Sequence, residues 1–327
     1  MVEVVILDGG MGTTLTENGH AEIDQDPLWS AKLLLTKPSA IAKVHQDFLN
    51  SGTRIIGANT YQIPPGHESS ETMVKTAFEI IQSLDFLRSD SAVSASIGPY
   101  GAILHDGSEY SGNYVDIENN LVKIEKYFVD KVNLITAYQP DIYAFETVPS
   151  LKEVEIIHEV MKSRSLDYYV SVQAKEDEKG GLVMGHGESL SQFIDCCMKF
   201  KNLNENKVSN CFALGLNCIH SKSVPSKFIK QYLEYLSENP DLHKILSVVL
   251  YPNNNMIWCG ETHTWTKETE NDLSWATDVI SVIKESDVYK SGRLSANGNI
   301  FKLYLGGCCG YSPDLLRRLK ISLPEEF

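Results

Sequence analysis

Positive charge is scarce in this sequence: 29 Lys and Arg stand against 43 Asp and Glu, a formal net charge of -14 over 327 residues, and no basic cluster interrupts the acidic background. Nucleic acid and anionic membranes are poor partners for such a surface, because both call for a concentrated patch of cations. No unbroken run approaches the roughly 18 apolar residues of a membrane span. The opening Met1-Val2-Glu3-Val4-Val5 enters an apolar run without the basic residues of a secretory leader, so a cytosolic address is the expectation. Internal repeats, low-complexity tracts and linkers are missing, and residues 1–327 read as a single domain. Neither a Walker loop nor HExxH occurs, and Gly10-x-Gly12 is followed by Leu15 where a dinucleotide fingerprint needs its third glycine. Seven cysteines, an odd number without CxxC, argue against a disulfide scaffold and draw attention to metal or thiol chemistry.

Short apolar, β-branched runs recur along the chain, each followed by a polar or Gly/Pro break and a stretch with helical spacing. Eight stand out, at residues 4–8, 54–60, 92–97, 142–146, 168–173, 212–217, 245–251 and 301–305. Strands this uniformly apolar suit a parallel sheet buried on both faces. The helical stretches carry their own signals. Ile41, Val44 and Phe48 are spaced for one helix face and Gly52 stops the run; Met73, Ala77, Ile80, Leu84 and Leu87 form another stripe. Ser150 with Glu153 reads as a capping box, and Ser312-Pro313 as a cap and first helical residue. Eight alternations predict an α/β fold, a single (β/α)8 TIM barrel with its active site at the C-terminal face of the strands; a doubly wound open sheet is the runner-up. The irregular stretches 64–69, 101–115 and 251–270 follow strands on that face, whereas 289–299 precedes the eighth strand and has no functional reading.

The residues that end the eight runs are Asp8, Asn59 and Thr60, Gly98, Glu146, Gln173, Asn217 with Cys218, Tyr251 with Asn253, and Cys308 with Cys309. No Lys closes any of them, which disfavours a lyase or aldolase. Cys218 closes the sixth strand, while Cys308 and Cys309 follow Gly306-Gly307 at the end of the eighth, so a barrel brings three thiols to one point. Three thiolates there would bind Zn2+ and leave one position open. The remaining cysteines, Cys196, Cys197, Cys211 and Cys259, read as packing. Asp8 and Glu146 end apolar strands at the barrel mouth, where an unpaired charge is costly, and an ammonium is their natural partner.

The segments Asp8-Gly9-Gly10-Met11-Gly12-Thr13, Ala58-Asn59-Thr60-Tyr61-Gln62, Ser96-Ile97-Gly98-Pro99-Tyr100-Gly101, Phe145-Glu146-Thr147-Val148-Pro149, Gly215-Leu216-Asn217-Cys218 and Gly306-Gly307-Cys308-Cys309-Gly310 resemble, in this order, the signature segments of the homocysteine S-methyltransferase family. The resemblance spans nearly the whole chain. It implies a barrel in which Cys218, Cys308 and Cys309 hold one zinc ion, and in which Asp8 and Glu146 receive the amino group of homocysteine. Gly9, Gly10, Thr60 and Asn217 complete the implied substrate set. Two departures, Asn254-Asn255 where the family often has Ser-Gly and Gly310 where many members have Arg, fall in loops that could shape the donor site.

A free thiol near pKa 8.5 is only a few per cent thiolate at neutral pH, and binding to zinc removes that handicap. The expected reaction is zinc-dependent methyl transfer from a sulfonium donor, S-methylmethionine before S-adenosylmethionine, to the homocysteine thiol, by a monomer or weak homo-oligomer. Aromatic faces attract such a cation; Trp29, Tyr61, Tyr251 and Trp258 are candidates, with Tyr61 and Tyr251 retained for the donor site. A betaine-type enzyme, a selenocysteine or selenohomocysteine methyltransferase, and a non-catalytic zinc-binding barrel are the alternatives. A C-terminal arm of the betaine-using type and modules for folate and cobalamin are not expected. His20, His67, His105, His186, His220 and His263 are expected to be surface residues.

Overall fold

The computed structural model describes residues 1–84, 91–203, 210–220, 222–242, 245–259, 264–267, 273–298 and 301–327. All eight expected strands are present: β1 (Val2–Ile6), β2 (Ile55–Ala58), β3 (Ala92–Ile97), β4 (Ile142–Val148), β5 (Asp167–Val172), β6 (Asn210–Asn217), β7 (Ser247–Tyr251) and β8 (Phe301–Leu305). They form one parallel sheet in the order β1-β8-β7-β6-β5-β4-β3-β2. Its outermost strands approach one another: Leu7 bridges to Ile55 in parallel, and the Arg54 N–H donates to the Ile6 carbonyl at 2.8 Å. Each strand is followed by a helix, namely Pro38–Ser51, Ser70–Ser83, Asn120–Thr136, Leu151–Met161, Leu190–Leu203, Val224–Glu238, Ser274–Glu285 and Pro313–Ser322.

Alternate strand residues point to opposite faces, and here both faces are buried. Val4 and Ile6 of β1 join the large core between sheet and helices, whereas Val5 and Leu7 join a second cluster with Ile55, Ala144, Tyr169, Ala213, Val249 and Tyr304. Water is thus kept from both sides of the sheet, as the uniformly apolar runs require.

The local signals act through identifiable bonds. Gly52 ends its helix at φ 100°, a left-handed conformation that suits glycine. The Ser312 hydroxyl accepts the Leu315 N–H, with Pro313 opening the helix. Only half of the anticipated capping box forms. Ser150 Oγ accepts the Glu153 N–H at 3.3 Å, but the Glu153 carboxylate turns away to accept the Tyr100 N–H at 3.0 Å and the Tyr114 hydroxyl at 2.7 Å. It thereby fastens the loop after β3 to the helix after β4.

Other expectations need adjustment. The stretch 101–115 contains short 3-10 turns, including Ser108–Tyr110 and Asn113–Asp116, and 251–270 contains an antiparallel hairpin of Met256–Cys259 with Thr264–Lys267. A second hairpin, Ala174–Glu176 with Leu182–Met184, was not anticipated because its strands are too short to show a period. Leu87, Asn299 and His263, and the side chains of Trp258 and Cys259, lie outside the described residues.

Candidate active site

The site is built at the C-terminal ends of the strands, and its framework is a set of backbone bonds. The loop after β7 lies between the two cysteine-bearing ends and holds both. Cys218 donates its N–H to the Tyr251 carbonyl at 3.3 Å, Cys308 donates to the Pro252 carbonyl at 2.8 Å, and Asn254 donates to the Cys309 carbonyl at 2.8 Å. The β1 loop closes on the same point: Gly307 donates to the Asp8 carbonyl at 3.1 Å, and Gly310 to the Thr13 hydroxyl at 2.9 Å. This is why Gly10 cannot carry a side chain, since a Cβ there would meet the Cys308 carbonyl oxygen at 2.6 Å.

The sulfur atoms of Cys218, Cys308 and Cys309 all lie within 4.8 Å of one another, and among the described residues no other group of His, Cys, Asp or Glu side chains converges in this way. Cys308 and Cys309 are 3.9 Å apart at sulfur, close to the roughly 3.8 Å edge of a tetrahedral zinc-thiolate centre with bonds of about 2.3 Å. Cys218 adopts a left-handed φ of 48°, a strained backbone of the kind found where a side chain must be aimed. Cys218 and Cys308, with Cα atoms 5.5 Å apart, lie within disulfide reach of one another, so the three thiols are available to a metal together only when reduced. Cys309 stays free, and burial pushes its thiol up to about 12, so it needs a cation to become thiolate. Cys197 and Cys211 are buried and Cys196 is half-buried, with thiols raised by burial, which fits packing.

A cleft of about 190 Å³ opens beside the thiols, lined by Asp8, Gly9, Gly10, Tyr61, Glu146, Asn217 and Tyr251 among others. Burial pushes the Asp8 carboxyl up to about 7, against the stabilising Gly57 N–H that donates to it at 2.7 Å. Glu146 is likewise raised to about 7 by burial, with Asp8 adding to the rise and the Ser96 and Tyr251 hydroxyls opposing it. Two carboxylates thus face one cleft, and no Lys, Arg or His lines it among the described residues.

Asn217 lines the cleft with its carboxamide already hydrogen-bonded, whereas Thr60 lies outside the lining. The Asn217 carboxamide accepts the Thr147 N–H and the Ser171 hydroxyl and donates to Thr147 Oγ1, all at 2.7–2.8 Å. It locks Thr147 at a φ of 59°, unusual for a β-branched residue, and so fixes the bulge that aims Glu146. Thr60 is fully buried outside the cleft lining, its hydroxyl donating to the Ser96 carbonyl at 2.7 Å, and it shapes the turn that leads to Tyr61. Tyr61 does line the cleft, and Gly98 makes room for it, since a Cβ there would meet its ring at 2.9 Å. Tyr251 is also placed there, its hydroxyl 2.5 Å from Ser171 Oγ.

The two departures from the family pattern shape the thiol loop instead of the cleft lining. Gly310 has φ 79° and packs on Asn254 and Met256, and Asn254 Nδ2 donates to its carbonyl at 3.1 Å. Among the histidines, His105 is no plain surface residue: it packs edge-on against Trp29 at 5.0 Å, beside the cleft.

Sequence reasoning overlooked Asp24, Glu109 and Tyr110, which line the cleft, and Lys131, which holds the turn around Tyr61. Lys131 is fully buried in the helix Asn120–Thr136, and its ammonium donates to the Thr60 carbonyl at 2.7 Å and to the Ile63 carbonyl. Burial lowers its pKa to about 7. Nothing in a helical stripe marks such a lysine; Glu109 and Tyr110 were findable only through their place in a loop on the active face.

Fold and site together give an α/β protein with a thiol cluster beside a cleft lined by carboxylates. A sequence profile of the homocysteine S-methyltransferase family matches residues 5–323. Homocysteine S-methyltransferase 3 of Arabidopsis thaliana is 29% identical, over 98% of this chain and 90% of its own length. A betaine-homocysteine S-methyltransferase of Drosophila melanogaster is 28% identical, over 85% and 87%. Among solved structures, the metallated homocysteine methyltransferase MmuM from Escherichia coli shares the fold with a TM-score of 0.71 at 22% identity, over 98% of this chain and 96% of that one. The chain belongs to the homocysteine S-methyltransferase family, and it is a methyltransferase.

Proposed function

We propose that the protein transfers a methyl group from S-methylmethionine, with S-adenosylmethionine as the second choice, to the thiol of L-homocysteine, giving methionine. The observation that carries this reading is the convergence of Cys218, Cys308 and Cys309 at the end of a cleft that also holds Asp8 and Glu146. Reduced, the three thiolates fit one Zn2+. Three thiolates cancel the dication and leave a net charge of -1, so a bound zinc would supply a substrate sulfur that is deprotonated yet still electron-rich. Asp8 and Glu146 would take the homocysteine ammonium and orient the sulfur toward the donor. The thiol gives its proton to solvent on becoming a thiolate; the sulfur lone pair then forms a bond to the methyl carbon as the carbon-sulfonium bond breaks in line, the donor's sulfur leaves as a neutral thioether, and the transfer itself needs no general base. Only three protein side chains converge among the described residues, which favours a site open to substrate over a closed structural one.

The same reading takes residues 1–327 as one (β/α)8 barrel, supported by the Leu7 to Ile55 bridge between the outermost strands, and keeps the cytosol as its address, where thiols stay reduced. The test is methyl transfer to homocysteine by reduced, zinc-reconstituted protein against S-methylmethionine, S-adenosylmethionine and betaine, alongside metal content. Activity with a sulfonium, about one zinc per chain and loss of both in Cys309→Ser are expected. Full activity in metal-free protein, or a persistent methyl-enzyme adduct in the mass spectrum, would refute the mechanism.

A further inference from the structure

The cleft contains a second acidic pole that homocysteine binding leaves unused. Glu109 sits on the turn Ser108–Tyr110 in the loop after β3; it is 6% exposed, and its Oε2 is buried without a hydrogen-bond partner among the described residues. A buried carboxylate oxygen lacking a donor is destabilising, and such a group calls for something that completes it. The two poles are electrostatically distinct. Asp8 acts on Glu146, whereas Glu109 feels Asp106 and in turn, together with Asp24, acts on Cys309. No Lys, Arg or His lines the cleft among the described residues, so the missing cation has to arrive with a ligand.

The chemistry of that cation follows from hydrogen-bonding capacity. A sulfonium centre has no N–H or O–H to give and is met by aromatic faces, while an ammonium has three donors for an oxygen such as Oε2. Tyr61 and Tyr110 stand beside Glu109, close enough for its charge to raise both phenols, and Trp29 lines the same cleft. We propose that Glu109 receives the α-ammonium of the methyl donor, which makes the donor an amino-acid sulfonium and Glu109 the residue that selects it over sulfoniums lacking an amino group. This rests on the sulfonium reading of the donor given above and adds the group that reads its charge.

The experiment compares kcat/KM for S-methylmethionine, S-adenosylmethionine, betaine and dimethylsulfoniopropionate, the last having the sulfonium and carboxylate but no ammonium, at saturating homocysteine with zinc-loaded enzyme. The wild type is expected to favour S-methylmethionine over dimethylsulfoniopropionate by at least about tenfold, the size of one charge-assisted hydrogen bond. In Glu109→Gln that preference should shrink by about tenfold or more, through the KM of the amino-acid donors, with the KM for homocysteine moving far less. Equal use of the two sulfoniums by the wild type overturns the assignment however the variant folds. Wild-type discrimination that survives intact in Glu109→Gln overturns Glu109 alone and leaves the sulfonium reading standing. A wild type that accepts betaine and no sulfonium defeats that reading and this one together.

Discussion

Replacing Glu146 by Gln removes one negative charge from the cleft while keeping the side chain's shape and its contacts with the Ser96 and Tyr251 hydroxyls. Ala would be a poorer probe, because it would strip those hydroxyls of their partner and open a void. A hydrogen bond between a charged donor and a carboxylate contributes about 1.5–3 kcal/mol, so the KM for homocysteine should rise by roughly tenfold to a hundredfold. The change belongs in substrate binding, and zinc content should match the wild type. The pH profile adds a second reading. Asp8 and Glu146 are both raised to about 7 by burial, and only the deprotonated forms can accept an ammonium. Efficiency toward homocysteine should therefore fall as pH drops through about 7, with a slope steeper than one in the wild type because two coupled groups protonate. With one group removed, Glu146→Gln should fall with a slope near one. An unchanged KM, or an unchanged slope, would place the homocysteine ammonium elsewhere.

Lys131→Met should loosen the turn that carries Tyr61, raising the donor KM several-fold. Burial lowers the Lys131 pKa to about 7 in the folded state from its ordinary 10.5, so the unfolded chain holds more protons between these values. Wild-type stability should then climb relative to the variant as pH rises above about 7, by at most about 1.4 kcal/mol per pH unit, as measured by denaturant titration; a parallel pH dependence in both proteins would refute it. His45 and His158 are buried with pKa values lowered to about 3 by burial, so acid should unfold the protein once the unfolded histidines protonate below about 6.5. His45→Leu should move the acid midpoint downward in a circular dichroism titration, and a midpoint that stays in place would assign acid unfolding to other groups.

The eight strands and their helices were legible in the sequence because a sheet buried on both faces leaves unbroken apolar runs, and because Gly52, Ser150 and Ser312-Pro313 mark helix ends through local chemistry. The cysteines at the ends of β6 and β8, and the carboxylates at the ends of β1 and β4, were equally readable, since strand ends in such a fold share one face. Tertiary structure alone decided which polar groups are already committed. Asn217 and Thr60 carry signature positions, yet their hydrogen bonds go to Thr147, Ser171 and Ser96, partners far away in the chain. Glu109 and Lys131 show the converse: their sequence context is ordinary, and it is burial without a counter-charge among the described residues, a property of packing, that marks them out.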